Sequence, residues 1–211
     1  MSQYFCSIVD NALCNPAQRM YFDLGEYRYG LTVVGDGEPI VCFHGFSESS
    51  YTWDAINLPG YRLVRIDLIG HGDSDIPDEE QAYTIPQMIE DLHTVIYHMV
   101  GDSYYLMGYS MGARIALSYA LEYESEIKGI ILESGSVGIA SDDERAERRK
   151  ADEDLAVRIE NHDGAWFATH WAEIPIFESQ KQLSEGVEEL IYLRRSNNST
   201  YALACTLRGS G

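Results

Sequence analysis

Basic residues are scarce in this sequence: 15 Lys and Arg stand against 34 Asp and Glu over 211 residues, a formal net charge of −19. Nucleic-acid binding needs a basic footprint on the phosphates, so the balance argues against such a partner. Cysteine is also sparse. Cys6, Cys14, Cys42 and Cys205 show neither C-x-x-C nor metal-ligand spacing. They read as reduced thiols of a cytoplasmic protein, with no metal and no cofactor expected. No run approaches the ~20 apolar residues of a membrane span. The N-terminus has no basic segment and places Asp10 before any long apolar stretch, which argues against a signal peptide. The acidic surface carries no signal of oligomeric state.

What remains is an ordinary apolar content of 45%, enough for one sizeable domain or a core with an inserted subdomain. Residues 1–19 show no periodicity and read as an extension. Met20 to Leu24 and Tyr27 to Val34 alternate apolar and polar residues around Gly25-Glu26, which predicts a β-hairpin. Pro39 to Phe43, Arg62 to Asp67, Tyr104 to Met107 and Ile127 to Leu132 are short apolar strands separated by helices or long loops. That order indicates an α/β fold with a mostly parallel sheet. Thr84 is placed to cap a helix reaching about Val100, with Pro86 in its first turn. After about Gly138 strand signals cease. Asp142 to Glu160, Gly164 to Trp171, Gln182 to Arg195 and Ser199 to Leu207 read as helices, so residues 20–138 are expected to form the core and 139–211 a helical cap.

The most specific motif is Gly108-Tyr109-Ser110-Met111-Gly112, between the strand Tyr104 to Met107 and a helix-forming run from Ala113 to Leu121. This is the strand–turn–helix setting of a nucleophile elbow, where a serine occupies a strained backbone position and the glycines remove clashing side chains. The turn lifts the Ser110 oxygen off the sheet and aims the Met111 N–H at the helix start, which favours negative charge. His44-Gly45-Phe46 directly follows a strand, where a second backbone donor, the Phe46 N–H, is expected to complete an oxyanion hole. In the Asp67 to Ser74 loop, Asp67 and His71 are expected to hold loops rather than react.

Nine of the fifteen basic residues lie between Arg145 and Arg208. Arg145, Arg149 and Arg194 read as surface charges. Arg114 differs, because it lies one helical turn after Ser110 on a helix expected to be packed inside the fold. A buried arginine needs an anionic partner, and a substrate carboxylate would serve.

Together these residues resemble the 2-succinyl-6-hydroxy-2,4-cyclohexadiene-1-carboxylate synthases, a menaquinone-pathway branch of the α/β-hydrolase superfamily. The resemblance runs from about Met20 to Gly211. It covers His44-Gly-Phe46, Gly70-His-Gly72, Gly108 to Arg114 and Leu132-Glu-Ser-Gly-Ser136. In the cap it covers Glu144-Arg-Ala-Glu-Arg148, Trp171 to Phe177, Arg195-Ser-Asn-Asn198 and Leu207 to Gly211. It implies an α/β-hydrolase fold and a lyase that removes a proton from a succinyl-cyclohexene tricarboxylate and eliminates pyruvate. Ser110 would be the base or proton relay, and the Phe46 and Met111 amides the oxyanion donors. His44, Tyr109, Arg114, Arg148, Trp171 and Arg195 would line a pocket for this small anionic substrate, the arginines pairing with its carboxylates.

In that family the aspartate and histidine that activate the serine follow the cap, on the last strands of the sheet. Here Gly211 comes directly after the cap, and only His162 and His170 follow Ser110. His170 reads as a surface or packing residue, and Glu133 has no suitable histidine after it. The expectation is that two further strand–helix units, about 50–60 residues, lie outside this sequence. A chain ending at Gly211 is expected to have little activity and poor stability. Two other readings stay open: an esterase of different specificity on the same fold, and an inactive truncated remnant.

Overall fold

The computed structural model describes residues 17–211; most of the expected N-terminal extension, with Cys6 and Cys14, lies outside them. Six strands form one sheet: β1 (Gln18–Asp23), β2 (Arg28–Gly35), β3 (Glu38–Phe43), β4 (Tyr61–Ile66), β5 (Tyr104–Tyr109) and β6 (Ile127–Glu133). Their spatial order is β1-β2-β4-β3-β5-β6. The first two strands make the expected hairpin and pair antiparallel with each other and with β4; β4, β3, β5 and β6 run parallel. The hairpin turns at Gly25, whose positive φ of 95° suits glycine, and the Asp23 carboxylate accepts from the Gly25 N–H at 2.6 Å. β1 begins at Gln18, two residues before the expected start, and Arg19 pairs with Asp67 beneath the sheet.

The central strands are near-continuous apolar runs because helices cover both faces. Ile40, Val41, Cys42 and Phe43 of β3 are all buried, as are Leu63, Val64 and Ile66 of β4. Cys42 is a free thiol, and so is buried Cys205. Helix α1 (Ile85–Met99) turns Met88, Ile89, Leu92, Val95 and Ile96 toward the core. Asp91 on the same helix is buried, and it is satisfied by the hydroxyls of Tyr27 at 2.7 Å and Tyr29 at 3.4 Å, which ties α1 to the hairpin. Thr84 does precede this helix, but its hydroxyl donates back to the Gln81 carbonyl at 2.8 Å instead of capping it.

β6 is the sheet's outer parallel strand. Among the described residues only β5 pairs with it, leaving Ile130, Ile131 and Leu132 exposed at 42%, 49% and 38%.

Helix α2 (Met111–Glu122) follows β5 and buries Ala113, Ile115, Ala116 and Tyr119 against the sheet. Four more helices come after β6: α3 (Asp142–Glu160), α4 (Gly164–Ala172), α5 (Glu185–Ser196) and α6 (Thr200–Ser210). A 3-10 segment, Pro175–Gln182, lies between α4 and α5. Ser141, Asp163 and Ser199 cap α3, α4 and α6 through their side chains, which explains why these helices start where they do. α3 packs on α6 and α4 on α5. Ala156, Ile159, Phe167, Leu203, Ala204 and Leu207 form a second core in this helical layer, and Phe46 of the sheet packs against it. No described helix is long and apolar enough to cross a membrane.

Candidate active site

Ser110 occupies the turn between β5 and α2 at φ 54° and ψ −114°, the strained conformation expected of an elbow. The flanking glycines are dictated by contact. A Cβ on Gly112 would drive into the carbonyl oxygens of Phe43 and His44, and one on Gly108 would meet the Ala113 Cα at 2.6 Å. The α2 N-terminus can therefore sit directly on the end of β3. The Ser110 N–H donates to the Glu133 carbonyl at 2.9 Å, which pins the turn to β6. The Ser110 Oγ is half-buried and makes no hydrogen bond among the described residues.

The His44-Gly45-Phe46 loop closes on this turn. A Cβ on Gly45 would lie 3.4 Å from the Ser110 Cβ and 3.0 Å from the Tyr109 ring. The N–H groups of Phe46 and Met111, the two expected oxyanion donors, have no backbone acceptor among the described residues. The Phe46 ring packs edge-on against Trp171 at 5.1 Å and Phe167 at 6.0 Å, which places Trp171 above the loop.

His44 requires a correction. The resemblance counted it among the pocket-lining residues, yet it is fully buried and both ring nitrogens are engaged by backbone. Its Nδ1 lies 2.8 Å from the Gly45 carbonyl, and its Nε2 accepts from the Leu68 N–H at 2.9 Å. The ring staples the loop after β3 to the loop after β4, and burial lowers its pKa. Asp67 and His71 also organise loops. Asp67 accepts from Arg19 and from the Ser50 and Asp73 N–H groups, and the His71 Nδ1 lies 3.0 Å from the Ile69 carbonyl. Histidines elsewhere are similarly occupied: His162 and His170 both stack on the Trp166 ring, and His93 stacks on Tyr123.

The arginines divide into two groups instead of converging. Arg114 and Arg148 line one cleft of about 540 Å³, with Arg145, Arg149, Asp152 and Arg208 among its other walls. Arg145 pairs with Asp142, Arg148 donates from Nε to Asp152 at 2.6 Å, and Arg208 binds Glu153 and Glu160. Arg114 has no ion-pair partner among the described residues; burial first and then the charge of Arg148 lower its pKa, while Asp152 opposes them. Arg195 borders a different cavity of about 340 Å³, between α4 and α5, walled by Ala168, Ala172, Phe177 and Ile191. Its Nη2 faces the Glu48 carboxylate at 3.5 Å and its Cζ lies 4.7 Å from the Phe177 ring. The split has a packing cause: Arg148 rides on α3, which pairs with α6, whereas Arg195 rides on α5, which pairs with α4. Tyr109 stands near the second group, within reach of the charges of Glu48 and Arg195.

Three residues of this neighbourhood were not among the expected site residues. Glu48 faces Arg195, Asp152 orients Arg148, and the Asn198 Nδ2 donates to the Ser47 carbonyl at 3.0 Å, tying α5 to the oxyanion loop. Two left a trace: Asp152 follows Arg148 by four residues on a helix, and Asn198 closes the Arg195-Ser-Asn-Asn198 run.

A family model described as the alpha/beta hydrolase fold matches residues 38–207. The chain is 35% identical over 188 residues to a Bacillus subtilis (strain 168) protein provisionally assigned as a 2-succinyl-6-hydroxy-2,4-cyclohexadiene-1-carboxylate synthase, covering 87% of this chain and 69% of that one. The synthase of the same name from Enterobacter sp. (strain 638) is 30% identical, covering 81% of this chain and 65% of that one. The chain thus spans about two thirds of the length of these relatives. The solved structure of MenH from S. aureus superposes with a TM-score of 0.78 at 28% identity, covering 88% of this chain and 71% of that one.

Proposed function

The chain belongs to the 2-succinyl-6-hydroxy-2,4-cyclohexadiene-1-carboxylate synthase family of the α/β-hydrolase fold, and on that premise we propose that it serves menaquinone biosynthesis as a lyase acting in the cytoplasm. The substrate in this reading is a succinyl-cyclohexene tricarboxylate. A proton leaves a ring carbon, its electron pair moves into the ring, and the carbon–oxygen bond to the enolpyruvyl group breaks, leaving a cyclohexadiene; the departing enolate takes up a proton on carbon to become pyruvate. Ser110 takes the proton. The Phe46 and Met111 amides hold the negative charge that develops on the substrate oxygen, where fixed donors are worth most. Arg114 and Arg148 receive carboxylates, and Tyr109 and Trp171 border the bound ring.

The observation that carries the reading is Arg114. In a protein of net charge −19, an arginine sits one turn from the elbow serine, in a cleft, without an ion-pair partner among the described residues. A half-buried guanidinium in that position is suited to an anionic ligand. An esterase acting on neutral esters has no use for it. A serine base of this kind also draws on a histidine oriented by an acid. No described histidine bonds to Ser110, so that relay is assigned to none of them.

The test is tricarboxylate binding and pyruvate release by the chain and its Arg114→Ala variant. Arg114→Ala is expected to weaken binding, or raise KM, roughly tenfold, and to leave hydrolysis of a neutral p-nitrophenyl ester unaffected. Identical constants for the variant and its parent would sink the reading.

A further inference from the structure

The Arg195 guanidinium is only 2% exposed, yet it is poorly satisfied. Its Nε and Nη2 are buried without a hydrogen-bond acceptor among the described residues. Among the described residues its ion-pair partner is Glu48, whose Oε1 stands 3.5 Å from Nη2, too far for a good charge-assisted bond. Arginine favours carboxylates through two parallel N–H donors, so a single distant contact leaves most of its capacity unused. Glu48 is less confined: its side chain is 26% exposed, and it lies two residues after Phe46, beside Tyr109 and hence beside the elbow. Burial pushes its pKa up, against the pull of Arg195. The loop itself is held before the side chain, by the Glu48 N–H to the Gly45 carbonyl at 3.2 Å and by Asn198 to the Ser47 carbonyl, and after it, by the Thr52 N–H to the Ser49 carbonyl at 2.9 Å. The carboxylate can therefore swing while its backbone stays fixed.

We propose that Glu48 is an internal carboxylate that occupies Arg195 in place of a ligand carboxylate and so sets how tightly the site accepts polyanions. This rests on the reading above that the site takes a polycarboxylate. In the ligand-free protein Glu48 screens Arg195 and adds negative charge beside it. A ligand carboxylate reaches Arg195 only as Glu48 turns toward solvent, and it then supplies the paired bonds that Glu48 does not. Glu48 is thus a specificity-determining residue, raising the cost of binding for any ligand too small or too weakly charged to displace it.

Calorimetric titration of the 211-residue chain with citrate, a compact tricarboxylate, tests this. Glu48→Gln is expected to bind citrate roughly fivefold more tightly, and the gain should vanish in the Glu48→Gln/Arg195→Ala double variant. Glu48→Asp, whose shorter side chain cannot reach Arg195, should show part of the gain and covers the case in which Glu48→Gln fails to fold. Thermal melts establish which variants are native. If native Glu48→Gln binds no tighter than the parent while Arg114→Ala loses binding, the role of Glu48 is refuted and the polycarboxylate reading stands. Absence of citrate binding in both the parent and Glu48→Gln would overturn both together. A gain that persists without Arg195 would reduce Glu48 to a general repulsive charge and also refute the exchange.

Discussion

His71 is sealed from water beside His44, their rings 5.3 Å apart, and burial followed by the neighbouring imidazole pulls its pKa down to about 3. His44 is shifted in the same direction, again by burial. In the unfolded chain both return to the ordinary value of 6.5. Between about pH 3 and 6.5 the unfolded state therefore binds more protons than the folded one, so stability rises with pH through that window and is level above it. Urea midpoints measured from pH 4 to 8 should climb to about pH 6.5 and then flatten, and His71→Gln should reduce the slope. An unchanged slope in that variant would show that His71 is not buried neutral. Single residues of this kind were only half legible in the sequence. The Asp67 to Ser74 loop announced a structural histidine, but nothing local to His44 showed that Leu68, far along the chain, would take its second nitrogen.

Elements were legible where their signals are local. Helix α3 runs over Asp142–Glu160 as its pattern predicts, because Ser141 caps it and acidic residues fill its first turn. The 3-10 segment Pro175–Gln182 escaped, since so short and irregular a helix lacks the 3.6-residue periodicity that betrays an α-helix. Pairing between elements could not be read at all. Which helix neighbours which decides that Arg148 and Arg195 border different cavities, and periodicity carries no such information. Arg208 is one such link: its guanidinium, near the end of α6, reaches Glu153 and Glu160 on α3 at 2.6–3.0 Å. Arg208→Ala should lower the melting temperature by roughly 2–4 °C at low salt, with the difference shrinking in 0.5 M NaCl as screening weakens the parent's pairs. A salt-independent difference would point to lost packing by the aliphatic stem instead.

At the scale of the whole sheet, the outer side of β6 has no strand partner among the described residues, and Ile130, Ile131 and Leu132 are exposed there. Open apolar edges of parallel sheets pair with other strands. The high net negative charge opposes such contacts between copies, and salt relieves that opposition. The purified 211-residue chain should therefore self-associate as NaCl is raised, visible by analytical ultracentrifugation, and Ile131→Lys should keep it monomeric. A parent chain that stays monomeric at 1 M NaCl would contradict this. The strand itself was legible from its apolar run; the strand order that leaves its other side open among the described residues was not.

Phe46 has a consequence at this largest scale. In the proposed mechanism its amide is one of the two oxyanion donors, while its ring packs against Phe167 and Trp171 in the helical layer. One residue thus belongs to the chemistry by its backbone and to the cover by its side chain. A displacement of α4 is transmitted to the donor through a single covalent residue, with no flexible linker to absorb it. Cover and catalytic floor are geared together, so the electrostatic environment of Ser110 tracks the seating of the helices above it.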